Sequence, residues 1–256
     1  MRIRGPKMDL LVGTVTLRPY VFAFLAAFLV AGARDLGLRR TLLFGALVWP
    51  IAWAAELSSI HFGIPFGFYR YTGLTRGQEL YVAGVPFFDS LSFAFLGYAA
   101  YGLGRGALAR FRAPVAARAV LTGFLMMMLD VVIDPAAVRG DRWFLGDLFY
   151  YPGGGVYFGV PLSNFAGWWL VGAVGIFAYE ACAWAGPSSG AGRIGPGIAL
   201  YYAVFVFNVA VTGWIGEWTL VAVGLAIHTL MAVAIVTIAR RAPARSILGT
   251  RGAEGV

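Results

Sequence analysis

Between residues 17 and 239 the chain is a succession of apolar stretches, each close to the length that carries a helix across a bilayer. Such a helix needs about 20 mostly apolar residues. Lipid offers no hydrogen bonds, so the backbone must satisfy its own N–H and C=O groups, which a helix does within one segment. The stretches 17–35, 40–60, 80–104, 115–135, 160–184, 196–214 and 217–239 qualify. They predict an all-α fold: a polytopic integral membrane helical bundle of about seven transmembrane helices. Only 12% of residues are charged and 60% are hydrophobic, whereas a soluble domain averages about 25% charged. No long polar linker, low-complexity segment or internal repeat interrupts the chain. Residues 1–256 therefore read as a single membrane domain, with 240–256 as a polar C-terminal tail.

The first stretch is the weakest, with "YVFAFLAAFLVAGA" as its clean apolar core, and "WIGEW" (214–218) must make a tight turn. The basic start "MRIRGPK" and the "AGA" at 31–33 are signal-peptide-like. The remaining spans need a membrane in any case, so an uncleaved first helix is expected.

The net charge of +8 sits in short clusters between apolar runs: Arg39 and Arg40; Arg105, Arg110, Arg112 and Arg118; Arg240, Arg241 and Arg245. That distribution orients a membrane protein and attracts anionic headgroups; it does not make a nucleic-acid surface. Positive-inside counting places 34–40, 105–118, 185–195 and the C-terminus in the cytoplasm, with Arg2, Arg4 and Lys7 against the trend. A start at Met8 would remove much of that conflict. The single Cys182 excludes an intrachain disulfide and a CxxC pair.

"LDVVIDPAAV" (129–138) places two aspartates, Asp130 and Asp134, at the end of an otherwise apolar span. Four residues apart, they project from one side of a helix, and Pro135 predicts that the helix ends about there. The span parity gathers Glu56, Asp89, Asp130 and Asp134 at one membrane face, with Asn164 and Asn208 nearby and Glu217 at the boundary. Glu180 lies at the other face. Intramembrane carboxylates are costly and usually mark a functional cavity. Two carboxyl groups side by side can share one proton, one acting as acid and the other as base. The structural alternative is that Asp134 caps a loop through an Asx turn and Asp130 pairs with an arginine of "VRGDRW" (138–143).

Two loops rich in aromatics, Gly and Pro, "SSIHFGIPFGFYRYTG" (58–73) and "DRWFLGDLFYYPGGGVYFGVPLSNFAGWW" (141–169), reach the same face. An interfacial aromatic belt is one reading; a shaped lid over an apolar ligand is the other. Aromatic faces also stabilise cations. Met126–Met128 reads as flexible packing. Two histidines, His61 and His228, are too few for a membrane di-iron centre. His228, in mid-span, reads as a hydrogen-bonded core residue. His61, five residues after Glu56, is a candidate proton relay. "GLGRG" (102–106) and "PGGG" (152–155) lack the strand–turn–helix setting of a dinucleotide fold. No Ser/His/Asp constellation is readable.

Four blocks, "ELSSIHFGIPFGFYRYT" (56–72), "GVPFFDSLSF" (84–93), "LDVVIDP" (129–135) and "YYPGGGVYFGVPLSNFAGWW" (150–169), together resemble the membrane-bound carotenoid 1,2-hydratase family. That family includes bisanhydrobacterioruberin hydratases and hydratases acting on the open end of γ-carotene. The resemblance covers roughly residues 40–185, with the blocks in the family's order; the remainder is similar only as hydrophobic spans. It implies an enzyme of carotenoid biosynthesis, a hydro-lyase in a bacterial or archaeal cell membrane. Its substrate would be an acyclic or monocyclic carotenoid, with water as co-substrate and the lipid bilayer as surroundings. Water would add across the terminal C1=C2 bond to give a tertiary alcohol. The addition is redox-neutral and requires no metal or redox cofactor.

Position and chemistry then suggest Asp130 or Asp134 as the acid and Glu56 or Asp89 for water activation. Tyr69, His61 and Asn164 would be binding partners, and Trp168 would shield a cation. An intramembrane Mg-dependent prenyltransferase is an alternative, with Arg70, Arg76, Arg139 and Arg142 for the diphosphate. It would need a second Asp-rich motif, where this chain has only Asp89. A proton-coupled carrier of a lipid-like substrate is another, although no inverted repeat is visible.

Overall fold

The computed structural model describes residues 6–182 and 194–241. Eight α-helices run in chain order: α1 (Pro6–Leu17), α2 (Pro19–Asp35), α3 (Leu38–Phe62), α4 (Phe87–Ala107), α5 (Val115–Ala137), α6 (Leu162–Ala181), α7 (Gly195–Trp214) and α8 (Trp218–Arg241). Helices α2 to α8 take up the seven apolar stretches in order. Five of them (α3, α5, α6, α7 and α8) are long and apolar enough to cross a membrane. The chain is therefore a polytopic helical bundle. The polar tail beyond Arg241, and most of the predicted loop 185–195, lie outside the described residues.

Helix α4 is the centre of the bundle, packing against α2, α3, α5, α6, α7 and α8. Every residue from Phe93 to Gly104 is buried. A helix enclosed on all sides tolerates tyrosine, serine and glycine where a lipid-facing one needs aliphatic bulk. That explains why this central helix, unlike five of its six neighbours, is not among the helices apolar enough by composition to cross a membrane. The most extensive helix pair is α5 with α6, and its close approach comes from Gly123 and Gly172. A Cβ on Gly172 would stand 2.9 Å from the Gly123 Cα, and one on Gly123 would stand 2.6 Å from the Ala173 nitrogen. Small residues at a helix interface let two backbones pack closely in lipid.

Three boundaries differ from the sequence reading. The third span, predicted from residue 80, begins at Phe87. Before it, β2 (Tyr81–Val82) and β3 (Val85–Pro86) pair as an antiparallel hairpin. Its turn residues, Ala83 and Gly84, have φ of 51° and 87°, the two positive values a tight I′-type hairpin requires. Pro86, with no N–H to donate, stands at the N-cap of α4. At the dyad, α5 runs through Pro135 to Ala137 instead of ending near Asp134. The Val138 N–H still bonds back to the Asp134 carbonyl at 3.0 Å. The third difference is α1, which the apolar pattern did not isolate. It packs on the 63–86 loop, where a Cβ on Gly13 would lie 2.5 Å from the Gln78 carbonyl oxygen.

The 63–86 and 138–161 loops meet over one end of the bundle. Strand β1 (Arg70–Tyr71) pairs antiparallel with β4 (Phe149–Tyr150). Beside them, the Thr72 N–H donates to the Leu148 carbonyl at 3.0 Å. Under this cover Trp143, Leu145 and Leu148 form a second buried apolar cluster with Ala136, Ala137 and Leu220. The turn 215–217 between α7 and α8 reaches the same end, as the sequence required.

Candidate active site

Where the paired loops close over the bundle they leave a cavity of about 140 Å³. Its floor and walls come from α3 (Glu56), α4 (Asp89, Ser92, Phe93), α5 (Ile133, Asp134), α6 (Asn164, Trp168) and α7 (Val204, Phe207, Asn208). The start of α2 contributes Tyr20 and Phe24, with Arg18 just before it. Tyr69, Tyr71, Phe149 and Tyr151 form the roof. Tyr69 and Tyr71 lie on the same side of the chain because alternate residues of an extended segment share a face; their rings are 5.4 Å apart.

Asp130 and Asp134 do project together, and the residue that joins them is Asn164 on the facing helix. Its amide Nδ2 donates to Asp130 Oδ2 at 2.6 Å and to Asp134 Oδ2 at 2.8 Å. One NH₂ group has two hydrogens, so each aspartate receives one. The close α5–α6 packing sets this register. Asp134 borders the cavity, whereas Asp130 sits behind it, fully buried. Asp130 Oδ1 has no hydrogen-bond partner among the described residues, nor has the buried Tyr157 hydroxyl.

Glu56 is buried on α3 and accepts a long hydrogen bond from the Tyr71 hydroxyl, 3.4 Å. Burial, and then the charge of Glu56, push the Tyr71 phenol upward, so the roof presents a proton donor. Trp168 stacks on Phe93 with centroids 4.4 Å apart and planes at 23°, and Phe66 packs at 6.0 Å from Phe93. This aromatic wall lies beside the carboxyl groups.

Asp89 has a partner that the sequence reading missed. Arg18, 1% exposed, donates from Nη1 to Asp89 Oδ1 at 2.5 Å. Its Nε and Nη2 donate to Glu79 at 2.6 and 2.9 Å. Thr75 in turn donates its hydroxyl proton to Glu79 Oε1 at 2.5 Å. An arginine inside an apolar span was the available signal, since such residues are rare and usually paired. Tyr71 was legible too, two residues from Tyr69 in the same block.

His61 does not join the site. It is exposed at the end of α3 and absent from the cavity lining. Five residues along a helix turn a side chain about 140° away from its starting direction, and that separates His61 from Glu56. His228 is buried, stacked on Phe205, with Nδ1 3.0 Å from the Gly224 carbonyl oxygen, as a core histidine would be. Glu217 pairs with Arg139 at 3.3 Å and with Arg142. It therefore lies outside the cavity, and the arginines of "VRGDRW" serve it and not Asp130.

Among the described residues, the two acids at the opposite face are both matched by arginine. Asp35 pairs with Arg105 at 2.8 Å and Glu180 with Arg118 at 2.5 Å. At the loop-covered end, Asp130, Asp134 and Glu56 have no basic partner among the described residues. Three buried carboxyl groups without a counter-ion do little for stability, since burying a charge costs several kcal/mol unless it is paired. Among the described residues, no three His, Cys, Asp or Glu side chains converge in the manner of a metal-ligand group.

Residues 10–233 match the family described as "Carotenoid biosynthesis protein". The chain belongs to that family. Membership of a carotenoid-biosynthesis family agrees with the chain's many apolar helices. A curated relative, the bisanhydrobacterioruberin hydratase of Haloarcula japonica, is 32% identical over 152 residues, covering 59% of this chain and 49% of the relative. The chain thus matches about half the length of that relative. No solved structure matches.

Proposed function

We propose that the chain is a carotenoid 1,2-hydratase, adding water across the terminal C1=C2 double bond of an acyclic carotenoid end to give a tertiary alcohol. The observation that carries this reading is a pair of carboxyl groups without a basic partner among the described residues, Asp134 and Glu56, lining an aromatic cavity, with Asp130 buried behind Asp134. Its chemistry suits protonation of an alkene and not the handling of a polar substrate. Family membership and the hydratase relative support the substrate class.

Asp134, as a carboxylic acid, donates its proton to C2, and C1 becomes a tertiary cation. Trp168 and Phe93 flank that cation, whose charge their π-faces attract. A water oxygen bonds to C1, and its surplus proton passes to Glu56 or Asp89. Asp134 is reprotonated from solvent while the base releases its proton to solvent, so the net change is the addition of H₂O with no electrons transferred. Asp130, joined to Asp134 through Asn164, holds the acid in place. Tyr69 and Tyr71 close the roof over the reacting end. All seven helices α2 to α8 span the bilayer in this reading, in the cell membrane of a bacterium or archaeon, with the arginine-rich face in the cytoplasm.

Expression in a lycopene-producing bacterium tests the proposal. Pigment analysis is expected to find tertiary alcohols that are absent from cells carrying the empty vector. Unchanged lycopene, with the protein present in the membrane fraction, would refute it for this type of end group.

A further inference from the structure

Resting on the hydratase reading, we propose that Arg18 is a positioning residue for the reaction: its guanidinium holds Asp89 in the cavity wall as the carboxylate that receives the proton of the attacking water. Among the described residues lining the cavity, Arg18 is the sole cation, against the carboxyl groups of Glu56, Asp89 and Asp134. Its side chain is 2% exposed, so its charge is directed at its protein partners and not at solvent. It divides its donors between two acids. Nε and Nη2 hold Glu79, which is closed off at 0% exposure, while Nη1 alone reaches Asp89, whose side chain keeps 18%.

That division gives the two acids different roles. Glu79 accepts both guanidinium bonds and the Thr75 hydroxyl. It ties the 63–86 loop to the start of α2. Asp89 engages Arg18 through Oδ1 only, so the guanidinium does not take up its Oδ2.

The base in this reaction does not need to be strong, because a tertiary cation is a potent electrophile. It needs to be ionised, fixed and close while a neighbouring carboxyl group donates. A charge-assisted bond to arginine favours the ionised form and fixes its position, and Asp89 lines the cavity. Among the described residues Glu56 has the Tyr71 hydroxyl at 3.4 Å as its side-chain partner, a longer and uncharged contact. In the step itself the water oxygen bonds to C1, its O–H bond breaks, and the proton goes to Asp89 Oδ2. The proton Asp134 lost appears at C2.

A double-mutant cycle on the full chain in detergent tests this, with hydration of an acyclic carotenoid measured as kcat and KM. The variants are Arg18→Met, Asp89→Asn, the pair together, Arg18→Lys and Glu79→Gln. Asp89→Asn should lower kcat by roughly 10²–10⁴-fold, as for a lost general base. Arg18→Met should cause a comparable loss, and the double variant should be no worse than Asp89→Asn beyond a few-fold. Arg18→Lys, which keeps a cation, should recover part of the rate. Glu79→Gln should cost much less in kcat.

Losses that multiply in the double variant would overturn the proposal. So would a Glu79→Gln loss equal to that of Arg18→Met, which would make Arg18 only a strap for the loop. If Arg18→Met does not fold, the same cycle with Arg18→Lys decides. A wild-type protein inactive on every acyclic end overturns the hydratase reading itself. An active wild type with a normal Asp89→Asn variant overturns only the role given to Arg18 and Asp89.

Discussion

Asn164 is the residue on which the aspartate dyad depends, because a single amide group from α6 bonds both carboxyl groups of α5. Replacing either aspartate by asparagine preserves volume and removes a buried ionisable group, so both variants should fold. Asp134→Asn should lower hydration by roughly 10²–10⁴-fold, the range for a lost general acid, because Asp134 faces the cavity. Asp130→Asn should cost less, since it acts from behind. Turnover per folded protein, with folding checked by thermal unfolding in detergent, measures both; near-normal rates in the two variants would contradict the assignment of the acid.

At this scale the sequence was informative where spacing determined geometry. Two aspartates four apart had to share a helix face, and they do. It was uninformative about partners. Arg18 meets Glu79 and Asp89 across 61 and 71 positions of chain, a distance over which no local pattern operates. His61 was misplaced because closeness in sequence to Glu56 says nothing about helical phase unless the rotation is counted.

The α5–α6 pair is the element that gives the site its precision. Gly123 and Gly172 let the two backbones meet, and a few turns towards the loop end Asp134 and Asn164 face one another. Gly123→Leu should therefore destabilise the protein by about 1–3 kcal/mol, as overpacking does. It should also lower hydration by more than the loss of folded protein explains, because the Asn164 bonds would lose register. Thermal unfolding and activity per folded molecule read the two effects separately. Stability loss with unchanged specific activity would mean that the site does not depend on this contact.

The seven long helices were readable because each is a sustained apolar run. The hairpin 81–86 was absorbed into the third span because Tyr81, Val82 and Val85 are apolar, although Gly84 and Pro86 carried the turn signal. The β1–β4 pairing is two residues long on each side and joins two distant loops, so no periodicity could reveal it. The roof of the cavity was therefore expected as a lid, but its tyrosine geometry was not.

Over the whole molecule, the two ends of the bundle treat their acids differently. Arg34, Arg39, Arg40, Arg105, Arg110, Arg112 and Arg118 gather at the end where Asp35 and Glu180 are paired. The loop-covered end also holds Asp130, Asp134 and Glu56, buried acids with no basic partner among the described residues. A bundle with one basic face and one enclosed acidic cavity can admit the end of an apolar chain from the bilayer and protonate it, while the rest of that chain remains in lipid. The central claim is that the cluster at Asp134 protonates C2 and that water supplies the hydroxyl. It is tested most directly by running the reaction in D₂O and, separately, in oxygen-labelled water, with mass spectrometry of the product. The account predicts one deuterium at C2 for each hydrated end and a hydroxyl oxygen derived from water. A hydroxyl oxygen derived from O₂, or no deuterium at C2, would contradict it.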